Sequence, residues 1–261
     1  MMCPTILKNP RANILGVGIS IMSLEQAVES IERFIAIGGH HYVCLCNVHT
    51  VVTSRQNNEF RHIVNEADLA LPDGMPLVWG ARLLGYNQRE RVDGPALMLA
   101  LCERSLVKNY SHFFYGGRNG VPELLAEKLM ARFSGLNVAG CYSPLFRPLT
   151  SKEDKQVVKM INDSGADILW VGLGAPKQER WIADHLRRVN TPVMLGVGAA
   201  FDFHCGTLKR APRWMRKSGL EWLFRLTQEP RRLWRRYVVT NTIFLSTFFL
   251  QLTKLKKFPT L

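Results

Sequence analysis

Short apolar runs recur along this chain, each followed by a turn marked with glycine or a polar residue and then by apolar positions at helical spacing. Residues 13–19 (NILGVGI) read as a first strand, and Ser23 is placed to cap a helix over 24–37 with Leu24, Ala27, Val28, Ile31 and Ile35 on one face. Residues 42–48 read as a second strand, ending at Asn47, His49 and Thr50, with a helix over 51–65 after it. Residues 68–71 lead through Pro72, Asp73 and Gly74 into a helix over 75–84, and Asp93-Gly94-Pro95 opens another over 96–108. The rhythm continues as a strand at 112–115, Gly116-Gly117, a helix over 122–133, a short strand at 136–140 and a helix over 152–164. Then 168–171 runs into Gly172-Leu173-Gly174 and a helix carrying Lys177, Gln178, Glu179 and Trp181, and 192–196 feeds Gly198 and Asp202. Strands alternating with helices of 10–15 residues predict an α/β fold, a Rossmann-like, mostly parallel sheet with helices on both faces.

The pattern changes after residue 205, which divides the chain into an α/β body, 1–205, and a basic, aromatic C-terminal appendage, 206–261. Residues 220–228 and 230 onward read as two helices broken at Pro230, and 243–250 (IFLSTFFL) is apolar but far shorter than the ~20 residues of a spanning helix. The net charge is +13, of which the appendage supplies +11. A nearly neutral body with so basic a tail points to an anionic partner engaged by the tail. Arginines beside Trp222, Phe224, Trp234 and Tyr237 suit a helix lying in a membrane interface; the alternative is a docked helical hairpin whose charges face water. Six cysteines, Cys3, Cys44, Cys46, Cys102, Cys141 and Cys205, show no CxxC pair and no zinc spacing, so they read as buried free thiols in a reducing compartment. No signal-peptide pattern opens the chain.

Ligands of open α/β sheets bind at the carboxyl ends of strands, where bare backbone N–H groups and helix N-termini favour an anion. By that position Asn47, Asp93, Gly116, Gly117, Gly172, Gly174, Gln178, Gly196, Gly198 and Asp202 are candidate substrate-binding residues. Each has a plainer reading: glycines for tight turns, Asn47 as a turn residue, Asp73 and Asp93 as helix caps. There is no D-x-D pair, no GxxxxGK[ST] loop and no His/Cys/Asp cluster at metal spacing. If the ligand is a diphosphate, arginines and backbone amides stand in for a metal. Transfer of a group to a hydroxyl would need a carboxylate base at a strand end, for which Asp73 and Asp93 are the candidates.

Six collinear blocks carry a resemblance: ADLALPDGMPLVW (67–79), ERVDGPALM (90–98), FFYGGRNGVPELLAEKL (113–129), ILWVGLGAPKQERWI (168–182), LGVGAAFDFHCGTLKRAP (195–212) and GLEWLFRLTQEPRRLWRRY (219–237). In order and content they resemble the WecG/TagA/CpsF glycosyltransferases over about residues 13–237. The resemblance implies a peripheral enzyme of the cytoplasmic face of the bacterial inner membrane. It needs neither metal nor cofactor and moves a sugar, with inversion, from a UDP-sugar to an undecaprenyl-diphosphate-linked saccharide in cell-surface polysaccharide synthesis. It implies Asp73 as the base, Arg91 against donor or acceptor, Asn47 near the acceptor, and Gln178 with the 172–174 and 196–198 turns around the nucleotide. It carries the appendage arginines onto Arg225, Arg232 and Arg235, closing over the diphosphate; Arg213, Arg231, Trp234 and Arg236 are then left for lipid. The donor sugar stays open between N-acetylmannosamine, its uronic acid and glucose, and a homo-oligomer is compatible with the chain. The rival from another class is a nucleic-acid or membrane-binding module using the basic tail, against which stands the lack of any nucleic-acid motif. A nicotinamide enzyme is disfavoured because no GxGxxG is followed by an acidic residue ~20 positions on.

Overall fold

A computed structural model describes residues 9–260. The chain enters through a hairpin of β1 (Arg11–Ile14) and β2 (Val17–Ser20), then α1 (Leu24–Ile37), β3 (His41–Cys46), α2 (Val48–Gln56), α3 (Asn58–Glu66), β4 (Leu69–Pro72), α4 (Met75–Leu83) and α5 (Gly94–Lys108). It goes on through β5 (Ser111–Gly116), α6 (Val121–Arg132), β6 (Asn137–Tyr142), α7 (Ser151–Ser164), β7 (Ile168–Gly172), α8 (Lys177–His185), β8 (Val193–Gly196) and α9 (Ala200–Cys205). Three further helices follow: α10 (Arg213–Lys217), α11 (Glu221–Gln228) and α12 (Pro230–Leu252).

The six strands β3 to β8 form one sheet in the order β4-β3-β8-β7-β5-β6, every neighbouring pair parallel. Side chains of successive strand residues alternate between its faces. Cys44, Cys46, Phe113, Tyr115, Leu169 and Met194 therefore belong to one core, and Val43, Leu45, Phe114, Trp170 and Leu195 to the other. The Rossmann-like α/β expectation holds. So does the same-side placement of Cys44 and Cys46, both buried free thiols; Cys3 lies outside the described residues.

Two expectations are corrected. Residues 13–19 are not one strand: Leu15 (φ 54°) and Gly16 (φ 89°) make a two-residue turn, and Asn13 Oδ1 accepts from Gly16 N at 2.8 Å. The run hides its turn because both arms are largely buried and so carry no polar alternation. Nor is 51–65 one helix. Asn57 is extended (φ −138°), ends α2, and caps α3 by accepting from Phe60 N at 2.7 Å. Ser23 does cap α1, in a reciprocal box with Gln26.

The basic C-terminal segment lies against the body. Phe244 and Phe248 of α12 enter the core shared by α2 and the hairpin, and Gln251 bonds the backbone of Leu15 (2.9 Å) and Asn13 (2.7 Å). Leu245 and Phe249, one position on, are 68% and 61% exposed, so the apolar strip at 243–250 is divided between protein and solvent. Among the described residues no helix is long and apolar enough to cross a membrane.

Candidate active site

The carboxyl ends of β3, β4, β7 and β8 open into one cavity of about 1270 Å³, roofed by α11 and the first half of α12. The strand ends are stitched side to side: Asp73 N donates to Cys46 O (2.8 Å), Gly117 N to Gly172 O (3.0 Å), Val197 N to Val171 O (3.0 Å) and Val92 N to Pro72 O (2.9 Å). Gly116 is required by this closeness. It has φ 124°, and a Cβ there would lie 2.6 Å from the Gly172 carbonyl carbon. The cavity wall includes Asn47, Asp73, Arg91, Asp93, Gly117, Gly172, Gly174, Gln178, Gly196, Gly198, Asp202, Arg225 and Arg232. Gly116 lies behind Gly117 and is not part of it.

Asp73 is not a cap. Gly74 is the N-cap of α4, and no side chain bonds the amides of that helix start. The Asp73 carboxylate forms no hydrogen bond or ion pair with another described residue. It faces the cavity, pushed up to about 6 first by desolvation and then by the Asp93 and Glu221 charges, against the pull of Arg91 and Arg225. Asp93 is the opposite case. Its Oδ1 caps α5 through Ala96 N (2.9 Å) and meets Arg210, while Oδ2 meets Arg91 at 3.1 Å. Both its oxygens are in use, so Asp93 holds neighbours in place. Burial alone would lower Arg91, but Asp93, Glu221 and Asp73 outweigh it and raise the guanidinium pKa. Arg91 also bonds Glu221 of α11 at 2.6 Å.

Asn47 lines the cavity, yet its side-chain oxygen is engaged in capping α2 through His49 N (3.0 Å) and Thr50 N (3.2 Å). Gln178 is locked between strand ends: its Oε1 accepts from Gly174 N (3.1 Å) and its Nε2 donates to the buried Glu179 (2.9 Å). The fit opposite it is tight, since a Cβ on Gly196 would lie 3.0 Å from the Gln178 amide nitrogen. Asp202 takes Thr207 Oγ1 at 2.9 Å and lies 3.6 Å from Arg118.

The arginine wall differs from the sequence expectation. Arg225, Arg232 and Arg236 line the cavity, whereas Arg235 is exposed and does not, so Arg235 and Arg236 exchange places. The reason is helical geometry: Arg236 shares the cavity face of α12 with Arg232, Tyr237, Thr240 and Asn241, whereas Arg235, although only three positions from Arg232, lies on the far side of that stripe. Glu229 pairs with Arg232 and sits 3.9 Å from Arg225, leaving Arg236 without a carboxylate among the described residues. Burial lowers the Arg236 pKa, opposed by Tyr237 and helped by repulsion from Arg225 and Arg232, and the buried Nε atoms of Arg225 and Arg236 have no partner among the described residues. His49 beside Arg236 is pushed down to about 4, chiefly by burial and then by that arginine, so it is neutral near pH 7. Arg213, Arg231 and Trp234 are exposed and stand off the cavity. Sequence reasoning did not single out Glu221 or Arg210, and it took Tyr237, which lines the cavity, for a membrane-interface aromatic. Nothing local marks Glu221 or Arg210, because their partners lie more than a hundred positions away.

Comparison with known proteins bears on this arrangement. Residues 12–258 match the model of the Glycosyl transferase WecG/TagA/CpsF family. A protein of Bacillus spizizenii (strain W23), named N-acetylglucosaminyldiphosphoundecaprenol N-acetyl-beta-D-mannosaminyltransferase, is 31% identical over 195 residues, 75% of this chain and 74% of that protein. One of the same name from Staphylococcus aureus (strain MW2) is 29% identical over 227 residues, 86% of this chain and 87% of that one.

Proposed function

From the premise that this chain belongs to the WecG/TagA/CpsF family, and so is a glycosyltransferase, we propose that it moves a sugar from a UDP-sugar to a saccharide carried on undecaprenyl diphosphate. Inversion at the anomeric carbon and independence of metal are part of the same reading. The acceptor class follows the names of the Bacillus and Staphylococcus relatives, which also put N-acetylmannosamine first among the donor sugars to try. One observation carries the reading: a carboxylate with no partner, Asp73, shares a cavity with three converging arginines, Arg225, Arg232 and Arg236. A base and an anion clamp in one cavity are what sugar transfer from a diphosphate requires.

The acceptor hydroxyl oxygen attacks the anomeric carbon as its proton passes to the Asp73 carboxylate. The bond from that carbon to the diphosphate oxygen breaks, and its electron pair leaves with UDP. The arginine wall stabilises the charge that gathers on the departing diphosphate. The Gly172–Gly174 turn and Gln178 hold the nucleotide end. The exposed Arg213, Arg231, Trp234, Leu245 and Phe249 rest on the membrane that carries the acceptor.

UDP release from a panel of UDP-sugars, with a short polyprenyl-diphosphate-linked N-acetylglucosamine acceptor and EDTA present, tests this. Acceptor-dependent release from one donor is expected. Release that requires added manganese would overturn metal independence, and silence with every donor under both conditions would overturn the transferase reading itself.

A further inference from the structure

Glu221 is the one acidic side chain of the C-terminal segment that reaches the Asp73 corner. It projects from the first turn of α11, is 18% exposed, and accepts from Arg91 Nη1 at 2.6 Å across 130 positions of sequence. The other end of the same guanidinium, Nη2, lies 3.1 Å from Asp93. Asp93 is in turn held by Arg210 from the segment before α10. The chain thus runs Glu221, Arg91, Asp93, Arg210, alternating in sign and spanning body and C-terminal segment twice. Asp73 lines the same cavity and stands outside this chain without an ion pair.

We propose that Glu221 is a positioning residue: it keeps the Arg91 guanidinium turned toward Asp93 and away from Asp73, so that Asp73 stays a free carboxylate only while α11 lies on the body. A base bonded by a guanidinium is a weaker base, because the ion pair favours its ionised form. The competition for Arg91 is therefore settled by a residue that arrives with the C-terminal segment. Docking of that segment and readiness of the base become one event, which ties turnover to a cavity roofed by α11 and α12. For its effect on turnover the inference rests on the transferase reading above; for its effect on Asp73 it does not. The charged groups facing Asp73 are Asp93 and Arg91 from the body and Glu221 and Arg225 from α11.

The test is a carbon-13 carboxyl titration of the full chain, with the Asp73 resonance identified by its loss in Asp73→Asn. In Glu221→Gln, which preserves shape and removes the charge, the Asp73 midpoint falls by about 0.5 pH unit or more. Most of that fall disappears when the same change is made in an Arg91→Gln background, and an equal fall with and without Arg91 would be the lost Glu221 charge alone and would overturn the proposal. Amide exchange over 221–228 quickens in the same variant, and Glu221→Asp restores the midpoint to within about 0.2 unit of wild type. Where wild type turns over a donor, Glu221→Gln lowers kcat about tenfold or more with donor KM within about twofold, as for a group that acts on the base rather than on binding. A midpoint that stays or rises in Glu221→Gln overturns the proposal, and faster exchange with an unmoved midpoint would make Glu221 a mere tether and overturn it too. Because the titration needs no turnover, an inactive wild type would defeat the transferase reading while leaving the Glu221 result readable.

Discussion

Replacing Asp73 by Asn separates stability from activity in opposite directions. The folded protein raises this carboxyl from 3.8 to about 6. A folded pKa above the unfolded one means that the native state holds the proton more tightly. The group's contribution is then fully present below about pH 4 and is lost as pH rises through about 6. Roughly two units at 1.36 kcal/mol each put the cost of the ionised carboxylate at pH 8 near 3 kcal/mol at most, and water in the cavity reduces it. Asn cannot ionise, so Asp73→Asn is more stable than wild type at pH 8 by about 1–3 kcal/mol and nearly equal to it at pH 4. For a chain of this size that is a Tm higher by roughly 3–10 °C at pH 8, read by calorimetry or a dye scan at both pH values. UDP release by the same variant falls at least about 100-fold, the lower end of what a general base contributes. An equal Tm change at both pH values would refute the electrostatic reasoning. Turnover above about a tenth of wild type would refute the base.

Arg236→Ala removes a cavity donor worth about 1.5–3 kcal/mol toward a charged diphosphate, so UDP binds roughly 10- to 100-fold more weakly by calorimetry, while Arg235→Ala stays within about twofold. Gly116→Ala forces a Cβ against the Gly172 carbonyl at a φ of 124°, and costs about 2–4 kcal/mol in chemical denaturation, since neither strand end can move without breaking the cavity floor. On α12 the two sides of the apolar strip separate cleanly. Phe248→Ala lowers stability by about 3–5 kcal/mol, whereas Phe249→Ser leaves Tm unchanged and weakens co-sedimentation with anionic liposomes.

Much of this arrangement is legible in the chain because strand ends and helix starts are marked locally. The alternation of apolar runs with helical spacing is enough to place Asp73, Asn47 and the glycine turns on one edge of a parallel sheet. The Leu15-Gly16 turn is not legible, since a buried hairpin lacks the polar alternation that would divide it. Nor is the break at Asn57, because asparagine is tolerated in a helix and its capping bond to Phe60 N is a three-dimensional fact. The roles of Asp73 and Asp93 look identical as residues preceding helices. They diverge because one glycine, Gly74, takes over the N-cap position and leaves Asp73 unengaged, while Asp93 caps α5 itself. Ion pairs between α11 and the body have no local signal of any kind.

On the proposed mechanism, the two charge clusters of the cavity answer a conflict between base and leaving group. A carboxylate base must remain unpaired, whereas a departing diphosphate must be met by guanidinium groups, and an arginine close enough to serve the second is close enough to spoil the first. Here the arginine that pulls hardest on the base is already committed, with Arg91 bonded to Glu221 and Asp93, and Arg210 is likewise spent on Asp93. The arginines of the opposing wall are less engaged. One carboxylate, Glu229, serves both Arg225 and Arg232, and Arg236 has none among the described residues. Repulsion within that wall disfavours three charges gathered side by side, and an arriving diphosphate relieves it, so the cost of assembling the wall returns as binding energy when the ligand enters. On the proposed reading, the C-terminal segment, which carries Arg225, Arg232, Arg236 and Glu221, brings both the clamp and the group that keeps Arg91 from the base. Tethering those opposed tasks to one pair of helices, α11 and α12, means that neither can be assembled without the other.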